Sequence, residues 1–306
     1  MTWKPERAVQ LVAGTPPGGG LDRVARALAN VIVQAKLLDV PVEVVNVPGD
    51  GARRAWTGFI DKHPGDAHVL GISSPNLTSD YLVGLAGFEH GRYSPIATLV
   101  TEYIAFAVAS DSALKSGADL LARLGSAPGK VKVALSTALG NPNHVALAKL
   151  TRHAGGDISA PVIRVFDTAL DAVADVIAGS SDVCAVTAAS VLTELNAGRV
   201  RVLAISAPAR LAGPFAASPA WQELGADCVI GAWRGISGPA GLAPSQINFW
   251  AEIVGSATRH PAWQAELARL SWSPLVQTGD VLRAYLAQER AEFVATLSEL
   301  GLLKAA

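Results

Sequence analysis

The sequence predicts a two-lobe α/β fold, each lobe a mainly parallel sheet flanked by helices, with extended crossings between the lobes. Three observations carry this reading. The first 75 residues run strand, helix, strand, helix, strand. A second series of strands and single helices spans residues 118–205. Long extended stretches, Tyr93 to Ser110 and Cys228 to Gly238, fall where the chain must leave one sheet for another. The bounds that follow are 1–105 for the first part of the first lobe and 106–228 for the second lobe. Residues 229–306 are then the return crossing and C-terminal helices packing on the first lobe.

Ala8 to Ala13 read as the first strand. Leu21, Val24, Ala25, Leu28, Val31 and Ile32 recur at helical spacing, so Asp22 to Ala35 is a helix with an apolar stripe. Val40 to Val47 is a β-branched run, expected as a second, buried strand. Pro48-Gly49-Asp50-Gly51 is a turn, and a helix through Ala55, Phe59 and Ile60 follows. His68 to Ser73 is the third strand, with Ser73 to Asn76 as the loop behind it and a less regular region after that. In the second series, Ala118 to Leu124 is a helix, Val131 to Ser136 a strand and Asn143 to His153 a helix. Strands at Val162 to Phe166, Val183 to Thr187 and Val200 to Ile205 alternate with helices at Thr168 to Ala178 and Ala188 to Asn196, a pattern that predicts a mainly parallel sheet. From Pro244 the chain is mostly helical, through Ile247 to Ala257, Trp263 to Leu270 and Val281 to Leu300.

Composition narrows the function classes. The chain has 306 residues, half of them hydrophobic, with 17% charged and a net charge of −1. That allows two cores and leaves no basic footprint for nucleic acid. No apolar run reaches the 18 to 20 residues of a membrane helix. The N-terminus lacks the pattern of a secretory signal, which fits either a cytoplasmic protein or a mature chain whose signal has been removed. Cys184 and Cys228 lie in apolar strand-like runs: buried free thiols are the default, with a disulfide or a reactive thiol as alternatives. No short metal-ligand spacing, GxGxxG fingerprint, P-loop or GxSxG elbow is present, so no cofactor and no metal are expected.

Ligands of open α/β sheets sit beyond the carboxyl ends of the strands. The loops to inspect are therefore Pro16 to Asp22, Ser73 to Asn76, Ser136 to His144, Phe166 to Thr168, and Thr187 onward. In the first, Gly18 and Gly19 lead into a helix N-terminus whose free N–H groups can hold a small anion; glycines that only make a tight turn are the alternative. Asp22 is either a helix-start acceptor or a partner for a ligand hydroxyl, amino group or water. Ser136, Thr137, Asn141, Asn143 and His144 form the densest uncharged polar loop, able to bind a carboxylate without net charge. Asn141 or Asn143 can equally cap the helix, and His144 can equally be a cap or packing residue. Asp167 lies near the same edge, where it would favour an amino group. Seven tryptophans stand against four tyrosines; core is their default, with Trp233 set in the return crossing. Arg164 and Arg234 are the basic residues nearest the loops, suited to an anion or to a strand edge.

Several segments together resemble the periplasmic solute-binding receptors of tripartite tricarboxylate transport systems, the Bug receptors. They are Trp3-Lys4-Pro5, Pro17-Gly18-Gly19-Gly20-Leu21-Asp22 with Ala25-Arg26, Val42-Glu43-Val44-Val45-Asn46 with Pro48-Gly49, and Pro64-Gly65-Asp66. Further on come Gly140-Asn141-Pro142-Asn143-His144, Gly198-Arg199-Val200-Arg201-Val202-Leu203-Ala204, and Ala232-Trp233-Arg234-Gly235-Ile236-Ser237-Gly238-Pro239-Ala240-Gly241. The resemblance runs nearly end to end. It implies a periplasmic-binding-protein-like fold without catalytic activity, which takes a small organic carboxylate in an interlobe cleft. The solute would be a dicarboxylate, aromatic carboxylate or amino acid, delivered by a monomer to membrane permease subunits. It also implies a periplasmic chain whose signal peptide has been removed. By the same resemblance the Gly18 to Asp22 and Ser136 to His144 loops hold a ligand carboxylate with ordered waters. Ser73, Asn76 and Thr187 match positions near the ligand. The chain departs from the family pattern at Asp50-Gly51-Ala52-Arg53, at Arg164-Val165-Phe166-Asp167-Thr168 and at Ser218-Pro219-Ala220-Trp221-Gln222-Glu223.

Two other classes remain at this point. One is an α/β enzyme acting on a small carboxylate or phosphorylated substrate, with Ser136 and His144 as suspects; an acid paired with His144 would favour it. The other is a ligand-binding regulatory protein without transport.

Overall fold

The structure is a computed structural model that describes residues 3–88 and 90–304. The chain opens with β1 (Val9–Ala13), α1 (Gly20–Gln34), β2 (Val42–Asn46), α2 (Arg53–Lys62), β3 (Val69–Ser73) and α3 (Asn76–Leu82). The long strand β4 (Tyr93–Ala109) leads to α4 (Gly117–Ser126), β5 (Lys132–Ser136), α5 (Pro142–His153), β6 (Val162–Phe166) and α6 (Ala169–Ile177). Then come β7 (Val183–Thr187), α7 (Ala188–Asn196), β8 (Val200–Ile205) and β9 (Gly231–Pro239). The chain closes with α8 (Pro244–Arg259), α9 (Pro261–Leu270), β10 (Ser273–Pro274) and α10 (Gly279–Glu299). No helix among the described residues is long and apolar enough to cross a membrane. The chain divides into two compact units. One holds the residues up to Thr101 together with Trp233–Ala291; the other holds Glu102–Ala232 and the residues from Glu292 onward.

In the first unit the strands lie in the order β2, β1, β3, β9, β4. β1 is parallel to both neighbours, with Leu11 opposite Val44 on one side and Leu70 on the other. The apolar run of β1 suits a strand with neighbours on both sides. β2 is only half-buried, because it is the edge of the sheet. β9 returns antiparallel to β3, pairing Ile236 with Ile72. Helix α1 buries Leu21, Val24, Leu28, Val31 and Ile32. Its start has no side-chain cap. With Gly19 in the cap position that omission costs only about 0.3 kcal/mol, against about 1.5–3 kcal/mol gained per buried large apolar side chain, so packing decides. A separate apolar cluster gathers Val12, Trp56, Phe59, Leu77, Phe88 and Tyr93 beneath α2 and α3.

α3 is an element the sequence reading treats as loop and irregular chain. It has seven residues, Asn76 to Leu82, and begins behind Ser74 and Pro75. It forms because Leu77 and Leu82 are buried, which a polar stretch this short does not advertise.

In the second unit the order is β4, β7, β5, β6, with β8 also on β4. β5 is parallel to β6 and to β7. β7 and β8 run antiparallel to β4, which enters this sheet from the opposite direction. The core contains Phe106, Leu135, Leu147, Leu150 and Trp221, with the Trp221 ring edge-on to Phe106 at 5.3 Å. Cys184 and Cys228 are free and buried, and burial pushes each thiol up to about 12, so both are inert neutral core groups.

Register sets where the loops lie. Ala13 is opposite Asn46 and Val12 opposite Gly71, so β1, β2 and β3 end along one edge of the first sheet. Ser136 is opposite Phe166 and Leu135 opposite Ala185, so β5, β6 and β7 do the same in the second.

Candidate functional site

Begin with the turn after β1. Gly14 is followed by a loop in which Gly18 takes φ +82°, a left-handed conformation that glycine adopts without strain. Gly19 N–H donates to Pro16 O at 2.9 Å, closing the turn. The loop is fastened by Asp22, which is 1% exposed. Its Oδ2 accepts from Gly18 N–H at 2.8 Å, and its Oδ1 accepts from Arg26 Nε at 2.9 Å and from Asn46 Nδ2 at 2.8 Å. Asn46 Nδ2 also donates to Thr15 O, and Asp22 N–H to Thr15 Oγ1. Burial by itself raises the Asp22 carboxyl; Arg26, Gly18 and Asn46 outweigh it and hold the group below its ordinary range. This arrangement leaves the N–H groups of Gly20 and Leu21, in the first turn of α1, without an acceptor among the described residues. They point along the positive end of a 15-residue helix.

The neighbouring loop, after β2, departs from the family pattern where the structure is most demanding. Asp50, Gly51 and Ala52 all have positive φ, at 52°, 63° and 80°. A Cβ on Gly14 would stand 2.3 Å from the Cβ of Ala52, so this pair seats one loop on the other. Behind β3, Ser73 is buried and its Oγ accepts from Ser237 Oγ at 3.1 Å. Asn76 is half-buried at the start of α3.

The polar loop of the second unit is built on Asn141. It is the N-cap of α5: its Oδ1 accepts from His144 N–H at 3.2 Å. Its Nδ2 donates to Ser136 O at 2.7 Å and to Thr137 Oγ1 at 2.9 Å, holding Thr137 at φ +71°. His144 is 4% exposed. Burial pulls its pKa down to about 4, so it is neutral at pH 7. Its Nδ1 accepts from Gly140 N–H at 3.0 Å, which places the ring proton on Nε2. Asn143 Nδ2 donates to Ser136 Oγ at 3.3 Å, which leaves the Ser136 hydroxyl proton free to donate elsewhere.

Thr187 caps no backbone group; its Oγ1 is 3.0 Å from Ser190 Oγ, and both residues are buried. Asp167 is exposed at the end of β6. Arg164 is spoken for: it pairs with Asp175 at 2.8 Å and lies over the Phe166 ring. Trp233 is buried against Leu282 and Leu286, and its Nε1 donates to Glu289. Among the described residues no acid is a partner of His144, and Ser136 is bonded to Asn143 rather than to the imidazole. The nucleophile arrangement of the enzyme reading is not formed. No three His, Cys, Asp or Glu side chains among the described residues converge as metal ligands.

The family model described as "Tripartite tricarboxylate transporter family receptor" matches residues 24–302. The chain belongs to that family. It is a periplasmic solute-binding receptor that captures a small carboxylate for a membrane transporter, and it is not an enzyme. Protein BugT of Bordetella pertussis is similar to this receptor at 27% identity over 304 residues, 97% of this chain and 90% of BugT. Among solved structures, the periplasmic binding protein BugD is similar at 20% identity with a TM-score of 0.83, covering 99% of this chain and 100% of that one. Rpa4515 of R. palustris with adipate has a TM-score of 0.86 at 19% identity, covering 97% and 98%. MatC of Rhodopseudomonas palustris with bound malate has 0.80 at 21%, covering 96% and 100%. These structures bear on the fold: two-lobe, periplasmic-binding-protein-like, with sheets flanked by helices.

Sequence reasoning did not single out two residues of interest. Arg53, partly exposed, and Asp80, buried, form an ion pair at 3.1 Å. The available signal was Asp80 itself, a carboxylate among residues that the apolar neighbours Leu77 and Leu82 pull inside.

Proposed function

We propose that this receptor, as a monomer, holds its solute by uncharged donors and hands it to the membrane permease subunits of its transporter. The solute is a dicarboxylate, an aromatic carboxylate or an amino acid. One observation carries the reading: internal acceptors in the Ser136 to His144 loop free three neutral donors. They are the Ser136 hydroxyl, the second N–H of Asn143 and His144 Nε2–H. Neutral donors attract a carboxylate while letting it leave again, as delivery requires. In the first unit, Gly20 and Leu21 N–H groups behind Gly18 and Gly19 offer the same chemistry. In this proposal Asp22 and Asn141 act by fixing their loops, while Ser73, Asn76, Thr137, Asp167 and Thr187 border the solute. The relatives solved with malate and with adipate are in keeping with a carboxylate.

The test is native mass spectrometry of the purified protein, then a thermal-shift screen of mono- and dicarboxylates and amino acids against their amides and methyl esters. A solute that binds only the folded state stabilises it by about 2.7 kcal/mol at a hundred times its Kd. The expected result is a rise in Tm with at least one free acid and none with its ester. Silence across every acid overturns the reading.

A further inference from the structure

Asp80 is 3% exposed, and only one of its oxygens is satisfied. Oδ2 accepts from Arg53 at 3.1 Å; Oδ1 is buried and has no donor among the described residues. Buried polar atoms in folded proteins nearly always have a partner, so an orphaned carboxylate oxygen points to a missing donor. Beside it lies a small pocket of about 10 Å³, room for one group the size of a water, a hydroxyl or an ammonium. Arg53, Asn76 and Asp80 line it together with Ala52, over an apolar floor of Trp56 and Phe88. Arg53 has no acceptor besides Asp80 among the described residues, and its side chain is 22% exposed, so it keeps further N–H groups for a ligand. Ala52 is also the residue on which Gly14 sits, which joins this pocket to the root of the glycine loop.

We propose that Arg53 and Asp80 form a specificity subsite that takes a hydrogen-bond-donating substituent, an ammonium or a hydroxyl, carried by the bound carboxylate. This rests on the carboxylate reading above. The subsite presents an acceptor where Gly20 and Leu21, in the same unit, present donors. A solute bearing both a carboxylate and a donor satisfies both; a plain carboxylate leaves Asp80 Oδ1 orphaned. Burial pushes the Asp80 carboxyl up to about 6 against the pull of Arg53, so at pH 7 the acceptor form prevails. The apolar floor fits a substituent on a short carbon chain rather than a free inorganic cation.

Titration calorimetry compares two matched series on the wild type and on Asp80→Asn: succinate, malate and aspartate; then glutarate, 2-hydroxyglutarate and glutamate. The asparagine can still accept from Arg53 through its Oδ1, and then turns an N–H₂ toward the pocket, reversing its polarity. The expected result is a wild type that binds a hydroxy or amino acid at least ten-fold tighter than its unsubstituted parent. In Asp80→Asn that preference falls to within two-fold. Equal binding within each series on the wild type overturns the proposal and needs no variant. So does a preference that survives Asp80→Asn. Binding of a longer or aromatic carboxylate with none of the six overturns the subsite alone. Failure of every carboxylate overturns the receptor reading and the subsite with it.

Discussion

Ala52 occupies the space that a side chain at Gly14 would need. An added Cβ there meets Ala52 Cβ at 2.3 Å and Ala52 Cα at 2.9 Å. Ala52 itself is held at φ +80°, where alanine is strained by about 1 kcal/mol. Gly14→Ala is therefore expected to destabilise the first unit by about 2–3 kcal/mol through overpacking. Ala52→Gly removes the Cβ and the strain but leaves the close Cα, so the double variant should recover about half of the loss. Urea unfolding of the four proteins measures the coupling; additive effects would mean that the loops separate instead of colliding.

Asp22 gathers donors from three places in the sequence: Gly18, Arg26 and Asn46. Asp22→Asn keeps the shape but sets an amide N–H₂ against groups that all donate. The expected cost is about 2 kcal/mol of stability, with loss of solute binding as the glycine loop loses its fastening. Thermal unfolding and the ligand screen on the same sample report the two effects. The wild-type contribution is present above pH 3.8, the ordinary value, and is lost as pH falls through the lowered native pKa.

Asn141 does two jobs that substitutions separate. Its Oδ1 caps α5 through His144 N–H, and its Nδ2 holds Ser136 O and Thr137 Oγ1. Asn141→Asp keeps the cap and loses the donors; Asn141→Ala loses both. The aspartate variant, which sets a buried carboxylate oxygen against Ser136 O, should be less stable than the alanine one, which loses about 1 kcal/mol with the cap. Both should bind carboxylates at least ten-fold more weakly than the wild type, because Thr137 is released from its left-handed conformation. Denaturant unfolding with calorimetry on each variant checks both expectations.

These residues also show how far the sequence could be read. Strand–loop–helix units were legible because β-branched runs, glycine–proline turns and helical spacing are local signals. The Asp22 to Arg26 pair is one helical turn and could be anticipated. Asn46 could not, since only the parallel pairing of β1 with β2 brings it there. Asn141 could be read as a cap, yet its grip on Ser136 O depends on the turn at Thr137. Arg53 and Asp80 are 27 residues apart and meet only because α3 folds, an element whose seven residues carry a weak local signal. The direction of β8 is likewise set by β4, not by the alternation of strands and helices around it.

His144 and Asp80 make opposed contributions to acid stability, one in each unit. Burial lowers His144 from an ordinary 6.5 to about 4, so the native state binds that proton less well than the unfolded chain does. Its contribution is present above pH 6.5 and is lost as pH falls toward 4. Burial raises Asp80 from an ordinary 3.8 to about 6, so the native state binds that proton better. Its contribution is full below pH 3.8 and is lost as pH rises through 6. Each shift corresponds to about 3 kcal/mol, and between pH 4 and 6 the two slopes oppose. His144→Gln should therefore lose less stability than the wild type when the pH drops from 7 to 4.5, and Asp80→Asn should lose more. Thermal midpoints of the three proteins at the two pH values measure this as differences from the wild type, so groups common to all three cancel. Matching pH dependence in all three would mean that neither side chain is shielded from water as the fold implies.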